Sequence, residues 1–185
     1  TLIKGGMPAS YGGRISSVVD VSMKEGNNKE FEMEGGIGLI SSRLTLQGPI
    51  QKNKSSFLIA GRRTYAFDIA QPALKRTDFA GTNYNFYDLN LKANYIFSDK
   101  DRLFLSGYFG RDVFVYKSSE NATDVRIPWG NATSTLRWNH LFNNKLFMNT
   151  TFVFNDYNFA FDAAQQDFKI RIKSGVRDYN LKLDL

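Results

Sequence analysis

Strict alternation of apolar and polar residues is clearest in YDLNLKANYIF, residues 87 to 97. Successive side chains of a strand point to opposite faces, so Tyr87, Leu89, Leu91, Ala93, Tyr95 and Phe97 share one side and Asp88, Asn90, Lys92 and Asn94 the other. Aromatic residues close both ends of the dry side and aliphatic ones fill its middle. That order is expected of a strand whose ring edges sit at two membrane interfaces. A tilted strand crosses a bilayer in roughly 9 to 11 residues, whereas soluble strands are nearer 5 or 6. Less regular runs at about 30–39, 42–50, 55–65, 102–116, 129–141, 146–159 and 177–185 bring the expected total to about eight strands. Residues 102–116 offer apolar side chains in both phases. QKNK (51–54), SDKD (98–101) and Asn143-Asn144-Lys145 read as tight turns, and 66–83, 117–128 and 161–176 as long connections. Tight turns on one side and long loops on the other are the asymmetry of an outer-membrane barrel, although the link at 39–42 is shorter than that scheme expects.

The opening is different. Gly5-Gly6 and Gly12-Gly13 flank a loop stiffened by Pro8, and Ile15, Ser17, Val19, Val21 and Met23 then alternate with Ser16, Val18, Asp20 and Ser22. Apolar residues in both phases predict a strand buried in protein rather than facing lipid. KEGN (24–27) reads as a linker into the strand array. No Lys-Ser or Lys-Thr follows the glycines, so they do not form a phosphate loop.

Composition narrows the classes. Mean hydropathy is −0.36 and no apolar stretch reaches the length of a membrane helix, which leaves a barrel open because its strands are apolar on one side only. The chain has no cysteine and a single histidine, which removes disulfides, thiolate metal sites and any site built on two imidazoles. Lys and Arg total 24 against 18 Asp and Glu, a net charge of +6 that permits anionic lipid or nucleic acid as a partner. All but two of the aromatic residues follow residue 55, while glycine concentrates at the start. Two kinds of structure are therefore expected, and the pattern is expected to continue beyond both ends of the chain.

GGMPASYGGRISSVVDVSMKEGN resembles the end of the plug domain of TonB-dependent outer-membrane receptors, and GGIGLISSRLTLQGPI with SSFLIAGRRTY is similar to the opening barrel strands of such receptors from Bacteroidetes-type bacteria. The resemblance implies an all-β fold. Residues 1–27 would be the C-terminal end of the plug and its linker, with Gly5, Gly6, Tyr11, Gly12, Gly13 and Arg14 as the plug-end motif. Residues 28–185 would be the N-terminal strands of a transmembrane antiparallel β-barrel, about eight of an expected 22. It further implies a bacterial outer-membrane location, no enzymatic activity and no cofactor. The partners would be outer-membrane lipid, a scarce nutrient (siderophore, corrinoid, glycan or peptide) and the TonB energy-coupling complex, which would engage a segment outside this chain and displace the plug.

Candidate chemistry is sparse. Glu30, Glu32 and Glu34 alternate onto one strand face, which suits a lumen stripe better than a calcium site because three carboxylates on a straight strand do not surround an ion. Arg62 and Arg63 point to opposite faces and, with those glutamates, are candidate plug–barrel contacts; Arg14 is a candidate brace from the plug side. His140, Asp156 and a serine could be drawn as a hydrolase triad, but no serine stands in an activated setting. The sequons at Asn121, Asn131 and Asn149 fit strand and loop polarity better than glycan attachment. Two other functions are compatible with the pattern. A small closed eight-stranded barrel would serve as an anchor or adhesin. A soluble basic sheet would bind single-stranded nucleic acid by stacking, but it calls for aromatics interleaved with Lys and Arg on one face, and those of 87–97 share theirs with Leu and Ala.

Overall fold

The computed structural model describes residues 2–4, 17–19, 23–77, 79–118 and 122–185. The plug-end residues Gly5, Gly6, Tyr11, Gly12, Gly13 and Arg14, most of the strand expected at 15–23, and Asn121 lie outside the described residues. Two short strands, β1 (Leu2–Lys4) and β2 (Ser17–Val19), pair antiparallel. All other strands belong to one antiparallel sheet whose order follows the sequence: β3 (Glu32–Ile37), β4 (Ser41–Gln51), β5 (Ser55–Thr64), β6 (Thr82–Ile96), β7 (Asp101–Ser118), β8 (Thr123–Asn143), β9 (Leu146–Gln165) and β10 (Phe168–Asp184). The fold is all-β, with eight strands in a sheet that is open: β3 and β10 are its two edges. Among the described residues no helix is long and apolar enough to cross a membrane.

The strands lengthen along the chain, from 6 residues in β3 to 21 in β8. The turns at 52–54, 98–100 and 144–145 are tight, as the sequence predicts, and they lie on one side of the sheet. On the other side two expectations are corrected. The segments 117–128 and 161–176 are not long loops. Residues 117–118 and 123–128 are strand, with Ser118 paired to Thr123, and 161–165 and 168–176 are strand joined by the two-residue turn Gln166-Asp167, where Gln166 has a positive φ of 51°. Their alternation is real, Thr123, Val125, Ile127 and then Phe168, Ile170, Ile172, but it is carried by residues on the opposite side of the sheet from the apolar stripe of β6. The connection after β5 is long. It holds α1 (Ala66–Leu74) and ends at Gly81, whose φ of +78° and close approach to the Lys117 carbonyl leave no space for a side chain.

Register divides the sheet into two faces. The pairs Leu91↔Ile59, Leu91↔Gly107, Gly107↔Ser134 and Ser134↔Phe154 put the odd residues of β6 on one face with the odd residues of β5, β7 and β10 and the even residues of β8 and β9. This settles the ambiguous phase of 102–116, placing Leu103, Leu105 and Phe109 beside Leu89 and Leu91. Near its mid-height that face carries an apolar band including Leu46, Ile59, Leu91, Leu105, Leu136, Phe152 and Leu181, broken at Gly107 and Ser134. From Tyr87 to Phe97 the band spans about 33 Å along the strand; at the roughly 40° strand tilt of an outer-membrane barrel that length would cover about 25 Å in height.

Candidate ligand-binding face

Burial is inverted relative to a water-soluble sheet. No apolar side chain among the described residues is buried; Ser55, Ser56, Thr64 and Thr82 are. Leu91 is 41% and Leu105 48% exposed, while Asp88, Asn90, Lys92 and Asn94 on the opposite face are half-buried. Exposed aliphatic side chains over such an area are unfavourable in water by about 25 cal/mol per Å² and favourable against hydrocarbon. The band is bounded by rings: Tyr95, Phe97 and Trp138 near the tight turns, and Tyr87, Phe109 and Tyr179 toward the far end.

Beyond that upper ring the polarity of the two faces exchanges. In β6 the apolar positions move from Leu89 and Leu91 to Phe86 and Tyr84, in β8 from Leu136 to Trp129, Ile127 and Val125, in β9 from Phe152 and Phe154 to Phe159 and Phe161, and in β10 from Tyr179 to Val176 and Ile172. The polar face opposite the band, termed inner because residues 23–25 lie against it, thus becomes an aromatic shelf higher up. Tyr84 and Trp129 stack, their centroids 6.0 Å apart and their planes 20° from parallel. Phe86 lies 6.0 Å from Tyr84 and carries the Arg62 guanidinium 4.7 Å above its ring. Phe67 of α1 packs edge-on against Tyr84, and the Gln71 amide donates to the Thr82 carbonyl at 2.8 Å, so α1 is held against the top of β6.

Acidic groups are set into this shelf. The Tyr84 hydroxyl donates to Asp112 at 2.6 Å, and burial, with the Asp112 carboxylate second, pushes the phenol up to about 12. Arg62 grips one oxygen of Asp88 through Nε and an Nη, at 2.9 and 2.7 Å. One pair step below Trp129, the buried Oδ1 of Asn131 has no hydrogen-bond partner among the described residues. Ring faces, fixed carboxylates and an unused acceptor together can stack a planar or sugar-like ring and accept hydrogen bonds from its donors.

The inner face also receives the segment that enters the sheet. Lys92, its side chain only 12% exposed, pairs with Glu25 at 2.8 Å and donates to the Met23 carbonyl at 2.8 Å. Asn94 donates to Glu25 at 2.8 Å and to Ser56 at 2.7 Å. Asn27 bonds Glu32, and Asn53 N–H donates to the Asn28 carbonyl at 2.9 Å. A Cβ at Gly26 would lie 2.1 Å from the Phe57 carbonyl oxygen, so the linker passes over β5 at a distance only glycine permits.

Of the residues singled out from the sequence, Glu32 and Glu34 do share the inner face, but they serve separate partners: Glu32 accepts from Asn27 and Gln47, and Glu34 pairs with Arg43 at 3.2 Å. Glu30 precedes β3 in a bend. Arg62 and Arg63 point to opposite faces; Arg62 belongs to the shelf and Arg63 stands in the row of Tyr87. His140 and Asp156 are separated along β8 and β9, and His140 Nδ1 instead meets Asp101 at 2.7 Å. Ser98 and Trp138 also donate to Asp101, so a carboxylate separates hydroxyl from imidazole and no serine-to-histidine proton path exists there. The His140 contact, followed by those of Ser98 and Trp138, holds the Asp101 carboxyl below its usual range. Lys92, Asn94, Tyr84, Trp129 and Asp112 were not marked as functional residues by the sequence. The lysine and asparagine are ordinary polar positions of a strand, and the stacked pair forms only across two strand partners. Comparison with protein-family models, curated proteins and solved structures finds no match to this chain.

Proposed function

We propose that this chain is part of a bacterial outer-membrane receptor of the TonB-dependent kind, contributing the end of the plug and the first strands of a lipid-facing barrel. In such a receptor a nutrient is captured on the outer side and admitted when energy from the inner membrane displaces the plug. One observation carries the proposal: the apolar band occupies a single face at bilayer depth, while the linker from the glycine-rich opening is clasped by Lys92 and Asn94 on the other. A lipid-facing wall with a stopper attached inside accounts for both facts. The sequence resemblance of residues 5–27 to a plug end points the same way. The aromatic shelf around Tyr84 and Trp129 lies above the band on the plug side, where a captured nutrient would pass, and the tight turns then face the periplasm.

The wall is tested by cysteine labelling, which has no background from this chain because it contains no cysteine. In full-length protein reconstituted into liposomes, Leu91→Cys should resist a membrane-impermeant maleimide, whereas Asn90→Cys should react once the plug is loosened by denaturant below the unfolding midpoint. Equal reactivity of the two positions in the folded protein would overturn the wall. The stopper is tested by conductance across a planar bilayer: removing the entire plug should open a pore that the intact receptor lacks. An unchanged conductance would remove the transport part of the proposal.

A further inference from the structure

Above the apolar band the outward face of β5 to β10 turns basic. Arg63, Arg111, Lys117, Arg126, Lys169, Arg171, Lys173 and Arg177 project there against the carboxylates Asp124, Asp156 and Asp162, eight cations to three anions. Arg177 is committed to Asp156 at 2.6 Å and Arg171 to Asp162 at 2.5 Å, whereas Arg111, Arg126 and Lys173 make no ion pair among the described residues and are exposed. These three surround a groove of about 790 Å³. Its floor is made by residues without bulk. Gly130, Asn158 and Gly175 lie in one row with Arg111, and a Cβ at Gly175 would come 3.0 Å from the Tyr157 carbonyl oxygen. Its lower wall is the top of the apolar band, at Phe109, Ala132 and Phe154.

We infer that this groove binds a phosphate-bearing lipid headgroup, with the phosphate between Arg111, Arg126 and Lys173 and the acyl chains descending over Phe109 and Phe154. The inference rests on the membrane reading above. Its basis is vertical order: hydrocarbon-compatible side chains, then rings, then unpaired cations stand on one face at the heights of acyl chain, interface and phosphate. Guanidinium groups present paired N–H donors that match phosphate oxygens, and the glycine floor lets a headgroup approach the backbone. On the inner face Lys92 and Arg62 are instead matched, by Glu25 and Asp88, and Arg137 lies over the Phe104 ring.

The test uses full-length receptor and titrates its affinity for phosphatidylglycerol in vesicles of phosphatidylcholine. Preferential retention of phosphatidylglycerol is expected, and the paired substitution Arg126→Gln with Lys173→Gln should weaken it roughly 30-fold, at about one surface charge each. The charge-conserving pair Arg126→Lys with Lys173→Arg should retain it, and Arg137→Gln, whose guanidinium lies over the Phe104 ring on the inner face, should leave it unchanged. Unaltered affinity in the glutamine pair would overturn the inference, as would inorganic phosphate binding as tightly as the lipid. Insertion without lipid preference defeats this inference alone. Failure to enter vesicles defeats the membrane reading and the inference with it.

Discussion

Replacing Leu91 with arginine tests the inverted burial most directly. Leu91 stands mid-strand in β6, between Ile59 of β5 and Gly107 of β7, with 41% of its surface uncovered. A glycine neighbour leaves an arginine in its place without a packing partner on that side, and the rest of its surroundings are aliphatic. If the face meets hydrocarbon, the guanidinium sits near the midplane at a cost of about 2 to 4 kcal/mol, reduced to the extent that the side chain reaches the headgroups. By the usual conversion that is roughly a 30- to 1000-fold shift in the folding equilibrium. Asn90→Arg, one residue away on the inner face opposite Ala60 and Tyr108, should cost much less, because that face is polar. The assay is reversible denaturant unfolding of full-length protein from liposomes, followed by tryptophan fluorescence, which Trp129 and Trp138 supply within the sheet. If the face met water instead, Leu91→Arg would change stability by no more than about 0.5 kcal/mol. Equal costs for the two variants, or a smaller one for Leu91→Arg, would refute the face assignment.

Tyr84 should ionise near pH 12 rather than 10, detected by ultraviolet difference absorbance. Because the folded state holds that proton more tightly, the associated stability is complete below pH 10 and declines as the pH climbs toward 12, and Asp112→Asn should move the titration back toward 10. Asp101 behaves oppositely. Its depressed carboxyl contributes stability above the ordinary carboxylate range that is lost as pH falls through its folded value, so Asp101→Asn should blunt the acid limb of a pH–stability profile. Lys92→Met removes the contacts to Glu25 and the Met23 carbonyl and should loosen the linker by about 1 to 2 kcal/mol after screening at the half-exposed glutamate, read as faster proteolysis between residues 23 and 31. Gly26→Ala should raise proteolysis of the same stretch, since its Cβ would lie 2.1 Å from a backbone oxygen that cannot swing away.

The alternation of Tyr87 through Phe97 determined by itself that β6 is a strand with one dry side, and the polar clusters at 51–54, 98–101 and 143–145 determined the three tight turns. These signals are local: period two and turn chemistry are properties of adjacent residues. The upper strands were equally periodic in FKIRIK and TDVRIP, yet their apolar phase runs on the other face, so they do not continue the stripe below and read as loops. Only the register decided otherwise, because it sets Tyr87 beside Arg111 and Phe154 beside Tyr179, and so brings the switch in four strands to about one height. On the proposed membrane reading, a change of solvent at a fixed height, not any feature of a single strand, orders those switches. The stacking of Tyr84 on Trp129 and the grip of Lys92 on Glu25 likewise join residues far apart in sequence. They exist only once hydrogen-bonded pairing has fixed which strands lie side by side and how far each is slid against the next.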